Sequence, residues 1–192
     1  MGALLKPMDV EEFLTWEDNQ ELRYEFDGIV AKAMTGGTGT HAAIQMRLNS
    51  ALYSRLRGKQ CQPYGSDLKL KLGHTVRYPD ASVVCTPVGA EDTFTTQPVV
   101  VFEILSKSTA NKDLGVKKAE YQATPSVLRY VVLHQTHRAA EVFYRSQDED
   151  DGWAHVLLSG DDVLDMPEIG IAIPLAEIYE DITLAGQALK SL

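Results

Sequence analysis

Two carboxylates and a lysine in this chain have the types and spacing for a reaction centre: Asp80, Glu103 and Lys117. Asp80 follows Tyr78-Pro79 and heads the apolar segment Ala81-Ser82-Val83-Val84-Cys85. Glu103 is set inside another, Pro98-Val99-Val100-Val101-Phe102-Glu103-Ile104-Leu105-Ser106, and Lys117 lies on a repeat of four with Asp113 and Tyr121. Two carboxylates from adjacent strands can hold a hard divalent cation such as Mg2+, which takes oxygen ligands and keeps several waters. A lysine beside them can orient or help deprotonate an attacking water and stabilise negative charge on a phosphoryl oxygen. Such a set suits phosphodiester hydrolysis. Each member alone has an ordinary reading: Glu103 as a core glutamate paired with a lysine, Pro79-Asp80 as a turn, and Asp113 with Lys117 as a surface pair worth ~0.3–0.5 kcal/mol.

The elements that must position these groups follow from pattern and punctuation. The segment around Glu103 has no polar face, so it reads as a strand buried on both sides, where a carboxylate is costly without a cation, several donors or a metal. Residues 62–72 and 78–85 read as two strands joined by a turn at Gly73-His74; Pro79 suits a strand entry, where its missing donor does no harm. After Ser106 come good helix caps, and the stripe Asp113, Lys117, Tyr121 falls on a helix that ends before Pro125. Upstream, Asp9 with Glu12 three residues on predicts a capped helix to about residue 19. Arg23 to Val30 alternates around Asp27-Gly28, a hairpin signal, with Tyr24 and Phe26 on one face and Glu25 on the other, exposed by default. Apolar positions at threes and fours predict a helix over about 40–57, ended by Gly58, with His41 in its first turn, where capping or packing is its default role. Strands are expected over 128–133, 140–145 and 153–158, and a short helix over 174–179.

The chain has 192 residues, 44% of them hydrophobic and 23% charged, an ordinary globular composition for one domain over 1–192. The two cysteines make no disulfide framework or zinc pattern, and a reducing cytoplasm fits them. The first residues lack a signal peptide's apolar core, and no apolar run reaches the ~20 residues that cross a bilayer. A net charge of −9 argues against a protein that simply coats nucleic acid. Between His41 and Pro79, however, Arg47, Arg55, Arg57, Lys59, Lys69, Lys71 and Arg77 face one acid, Asp67, so a local basic surface and a merely solvated face are both open.

Taken together, these motifs resemble the PD-(D/E)XK nuclease superfamily, and within it the bacterial family described as putative restriction endonucleases. The resemblance spans nearly the whole chain. It is carried by Arg23-Tyr24-Glu25 with Asp27-Gly28, His41, Tyr78-Pro79-Asp80, Val101-Phe102-Glu103-Ile104-Leu105-Ser106 with Ser108-Thr109, the stripe Asp113, Lys117, Tyr121, and residues 174–179. It implies an α/β chain of the α+β mixed-sheet kind: a restriction-endonuclease-like core with flanking helices, an N-terminal helix and a β-hairpin. It further implies Asp80 and Glu103 as ligands of Mg2+ or Mn2+. The lysine expected two residues after the glutamate is replaced by Leu105, and Lys117 on the next helix matches the position to which the family moves it. Glu25, His41, Lys107, Asp113 and Tyr121 are the further site residues, Glu25 as an additional acid at the metal. The implied activity is a metal-dependent endonuclease acting on DNA in the cytoplasm, as a homodimer where relatives cut both strands as symmetric pairs. Two other readings stand beside it: a nuclease-fold binding or regulatory module that no longer cuts, and a metal-dependent phosphodiesterase on a smaller substrate.

Overall fold

The computed structural model describes residues 7–105, 113–146 and 152–184, apart from the side chain of Asp113. Helix α1 (Val10–Glu17) opens with the expected capping box: Asp9 accepts from the Glu12 amide at 2.8 Å, and Glu12 accepts from the Asp9 amide at 3.0 Å. Strands β1 (Tyr24–Phe26) and β2 (Ala31–Ala33) form the hairpin. Its loop runs over four residues, because Asp27 Oδ1 accepts from the Ile29 and Val30 amides while Gly28 takes a positive φ of 92°. Helix α2 (Gly39–Leu56) is capped by Thr38 and buries Ile44, Leu48, Ala51, Leu52 and Leu56.

The expected strand over 62–72 is two strands, β3 (Gln62–Gly65) and β4 (Lys69–Leu72), which join different sheets. Gly65-Ser66-Asp67 is turn-forming sequence inside the run, and the chain turns there, Leu68 donating to Gly65 O at 3.4 Å. Strand β5 (Thr75–Arg77) returns beside β4; Tyr78-Pro79-Asp80 then carries the chain across to β6 (Ala81–Val84), which is shorter than the expected 78–85. The polar stretch before the central strand contains β7 (Phe94–Thr95), and β8 (Pro98–Leu105) is the expected buried strand. A π-helical turn (Asp113–Lys117) leads into α3 (Lys118–Ala123). Then come β9 (Arg129–His134), β10 (Ala139–Arg145) and β11 (Trp153–Ser159), each within a residue or so of expectation. The hairpin β12 (Val163–Met166) and β13 (Ile171–Pro174) was not anticipated, although alternating burial on both strands carries its period of two; α4 (Leu175–Ile178) follows.

One sheet runs β2-β1-β5-β4-β7 and a second β11-β10-β9-β8-β6-β3, mixed because β8 and β9 are parallel. This is the α+β mixed-sheet architecture expected. Alternate residues of β8 serve two cores: Val100, Phe102 and Ile104 pack with α2, β13 and α4, whereas Val101 packs with Tyr121, Val127, Tyr130 and Val132. Each fully buried Val, Ile or Phe stabilises by ~1.5–3 kcal/mol. Several of them together outweigh the several kcal/mol that one buried ion costs, which is how β8 tolerates Glu103. Cys61 and Cys85, flanking the β3–β6 pair, form a disulfide. A count of two cysteines did not predict it, since only the register Gln62↔Val84 brings their neighbours together.

Candidate active site at the end of the central strand

The antiparallel register between β6 and β8 ends at Ala81↔Phe102, so the next step along each strand reaches Asp80 and Glu103. Asp80 Oδ2 accepts from the Ile104 amide at 2.7 Å, which fixes it beside the peptide following Glu103. Its other oxygen lies 3.2 Å from His41 Nε2, and Gln45 Nε2 donates to its main-chain carbonyl at 2.9 Å. The first turns of α2 thus hold Asp80 from one side. Thr38, not His41, caps the helix, and the His41 ring meets Asp80 instead.

Glu103, 5% exposed, is engaged from the other side. Its Oε1 accepts from Lys117 Nζ at 2.8 Å and from the Tyr121 hydroxyl at 3.0 Å. Complete burial, reinforced by the charge on Glu103, holds the Tyr121 hydroxyl well above its ordinary pKa, so it remains a donor. Lys117 is 5% exposed and also lies 3.0 Å from Glu25 Oε1. Glu25, expected on the exposed face of its strand, is 8% exposed because the face opposite Tyr24 and Phe26 is turned into the site. Arg77 Nη1 lies 3.7 Å from Glu25 Oε2, and Arg77 donates in a two-pronged pair to Glu120 at 2.7 and 2.5 Å. Burial alone lowers the Arg77 pKa, but the Glu120 hydrogen bond and the charges of Glu120 and Glu25 outweigh it and raise the net value.

Of the expected site residues, the structure therefore groups Asp80 with His41, and Glu103 with Lys117, Tyr121 and Glu25. Lys107 lies outside the described residues, as does the side chain of Asp113. Lys118 turns away, its Nζ 5.0 Å from the centre of the Phe143 ring. The sequence reading missed Gln45 and Glu120, and counted Arg77 only as surface charge. It also missed a second polar group on the same sheet face as Glu103, where Glu141 lies between His155 at 2.5 Å and His134 at 3.7 Å. Strand alternation was the available signal for Arg77 and Glu141 alone, since Gln45 and Glu120 lie on helices.

The donor set at Asp80 and Glu103 is hard carboxylate oxygen, which fits Mg2+ or Mn2+: such ions are commonly held by one or two carboxylates with water completing the shell. Among the described residues no cluster of three or more His, Cys, Asp or Glu is arranged to hold a metal, so of these residues Asp80 and Glu103 are the pair that would hold the ion, with water in its shell.

The expected basic surface is largely consumed by neutralisation. Arg55 pairs with Glu177, Lys69 with Glu17 and Asp18, Lys71 with Glu11, and Arg77 with Glu120. Arg57 and Lys59 remain exposed but follow the far end of α2, about 25 Å along the helix from His41 at 1.5 Å per residue. Arg47 is the member nearest the site along that helix.

An α+β fold with carboxylates at the end of a central strand defines a restriction-endonuclease-like class of protein. The fold matches the crystal structure of a protein described as a putative nuclease belonging to DUF820 from Anabaena variabilis ATCC 29413, with a TM-score of 0.74, 16% identity, and coverage of 90% of this chain and 98% of that one. Residues 10–176 match the model of the Uma2 family, described as "Putative restriction endonuclease", and the chain belongs to that family. Two relatives from Synechocystis sp. are similar along most of their length: "Uncharacterized protein slr1290", 34% identical and covering 94% of this chain and 96% of its own, and "Uncharacterized protein sll1609", 23% identical and covering 83% and 92%.

Proposed function

We propose that this chain is a divalent-metal-dependent endonuclease that hydrolyses DNA phosphodiester bonds, with Asp80 and Glu103 holding Mg2+ or Mn2+ and Lys117 as the positioned cation. The observation that carries this reading is the contact of Lys117 Nζ with Glu103 at 2.8 Å, delivered by the helical segment after β8 to the strand end where Asp80 is fastened. Bound there, the ion would supply polarisation of a phosphoryl oxygen and a more acidic water. The chain's own contribution is electrostatic preorganisation: the Lys117 ammonium waits where negative charge develops on the phosphoryl group. His41 and Gln45 hold Asp80, and the Tyr121 hydroxyl holds Glu103. A homodimer completes the proposal; the Cys61–Cys85 disulfide weighs against the reducing cytoplasm that the cysteine count favoured.

The test combines binding with chemistry. Mg2+ or Mn2+ should raise the melting temperature of the wild-type protein, because an ion that binds only the folded state stabilises it. Asp80→Ala and Glu103→Ala should lose that increment, and plasmid nicking with it. Equal metal-induced shifts in all three proteins would sink the site assignment.

Binding of duplex DNA should weaken steeply as salt rises, since phosphate contacts release counterions. Arg47→Ala should weaken it more than Arg57→Ala, because Arg57 is remote from the site. Binding that is unchanged between low and high salt would point to a different mode. A binding module that does not cut is favoured by one specific observation, the neutralisation of most of the basic segment by intramolecular acids. Wild-type protein that binds duplex but cuts none with either metal would establish it.

A further inference from the structure

We propose that Glu25 is the positioning residue for Lys117: the N-terminal hairpin delivers a second carboxylate that keeps the ammonium at the end of β8 from closing as a simple pair with Glu103. The inference deepens the role given to Lys117 under the proposed function. Its basis is a three-group contact assembled from both sheets, Lys117 Nζ lying 3.0 Å from Glu25 on β1 and 2.8 Å from Glu103 on β8. All three residues are buried. The family resemblance offers Glu25 as an acid for the metal; among the described residues it faces two cations, Lys117 and, at 3.7 Å, Arg77.

The physical need is clear from the lysine side chain. Its four-carbon stem is flexible and its ammonium is a point charge without a fixed hydrogen-bonding plane. One carboxylate would neutralise it and leave its direction loose; two carboxylates on different elements fix where Nζ stands. The charged and titratable groups described here include Glu25 on β1, Glu103 on β8, Arg77 on β5, and Glu120 and Tyr121 on α3. Glu25 in turn is flanked by Arg77, and Arg77 is fixed by its two-pronged bond to Glu120, so the carboxylate cannot simply follow Lys117 out of place.

The deciding experiment is 13C relaxation of the Lys117 side chain in protein carrying 13Cε-labelled lysine, with the signal assigned from its absence in Lys117→Met. Glu25→Gln keeps the side-chain shape and removes the charge. The order parameter of the Lys117 Cε group should fall clearly below the wild-type value, toward that of a flexible surface lysine. Glu25→Asp, with the charge kept on a shorter stem, should fall between the two. In cleavage, Glu25→Gln should lower kcat by about 10²-fold, as for a catalytic group misplaced by ~1 Å. KM for DNA should change little, and Glu25→Asp should recover part of the loss. A purely structural Glu25 would give no such split. An unchanged Lys117 order parameter in Glu25→Gln overturns the proposal; if that variant does not fold, an unchanged one in Glu25→Asp does so. A lowered order parameter in a protein whose wild type cuts no duplex upholds the positioning role and overturns the nuclease reading.

Discussion

Lys117→Ala is expected to lower metal-dependent cleavage of plasmid or short duplex by ~10²–10⁴-fold, the usual contribution of a positioned acid–base or electrostatic group. Sequence alone suggested that such a variant would keep its stability, because an i, i+4 pair on a helix surface is worth little. Burial changes that expectation. Lys117 is 5% exposed between Glu25 and Glu103, and removing one partner of a buried ion pair typically costs ~3–5 kcal/mol. The variant must therefore be compared at matched folded concentration, below its reduced melting temperature. Lys118→Ala is the control. Its ammonium lies over Phe143, a contact worth ~0.5–1 kcal/mol when exposed, and cleavage should persist without it. Full activity in folded Lys117→Ala would refute the assignment of this lysine.

Arg77→Ala should produce the largest loss of stability of any single substitution in the basic segment. The side chain is 1% exposed, makes two hydrogen bonds to Glu120 and stands beside Glu25. Its removal takes from Glu120 its two-pronged partner and leaves Glu25 with Lys117 but not Arg77, in a low-dielectric setting, at a cost of ~3–5 kcal/mol. For a chain of this size each kcal/mol corresponds to about 2–4 °C, so thermal melting should fall by roughly 6–20 °C. Arg57→Ala, at an exposed position, should change the melting temperature hardly at all. Similar melting of Arg77→Ala and wild type would show that this buried network does not hold the two sheets together.

The elements that could be read from sequence are those with strong local causes. Asp9 and Glu12 announce α1; Gly58 ends α2; the apolar segment around Glu103 is the central strand. The reading of residues 62–72 as one strand failed because turn formation at Gly65-Ser66-Asp67 prevailed over the surrounding alternation. The candidate site was legible in part for the same reason. Asp80 and Glu103 head or interrupt apolar strands, so each is conspicuous where it stands. The contacts of Glu103 match the core reading, a buried glutamate paired with a lysine, and this is the same carboxylate singled out for chemistry. Glu25, Arg77 and Glu120 looked like surface charges, because nothing local says that the other face of β1 meets the helical turn after β8. That knowledge resides in the packing of the two sheets. Whether three of the basic residues face outward or enter an ion pair is likewise decided by distant acids: Glu177 for Arg55, Glu17 for Lys69 and Glu11 for Lys71.

The π-helical turn at Asp113–Lys117 has a consequence for chain length. A π turn amounts to a single-residue insertion into an α-helix, and each residue of an α-helix rotates the following side chain by about 100°. Lys117 meets Glu103 only because the preceding turn is wound one residue wide. Removing Gly115, or adding one residue beside it, would regularise or widen the winding and swing a different side chain to the strand end with no change to either charged group. The winding of residues 113–117, more than the charges it carries, thus sets which side chain reaches the strand end. A comparison that tolerates gaps in this segment would align the lysine by letter and lose it in space.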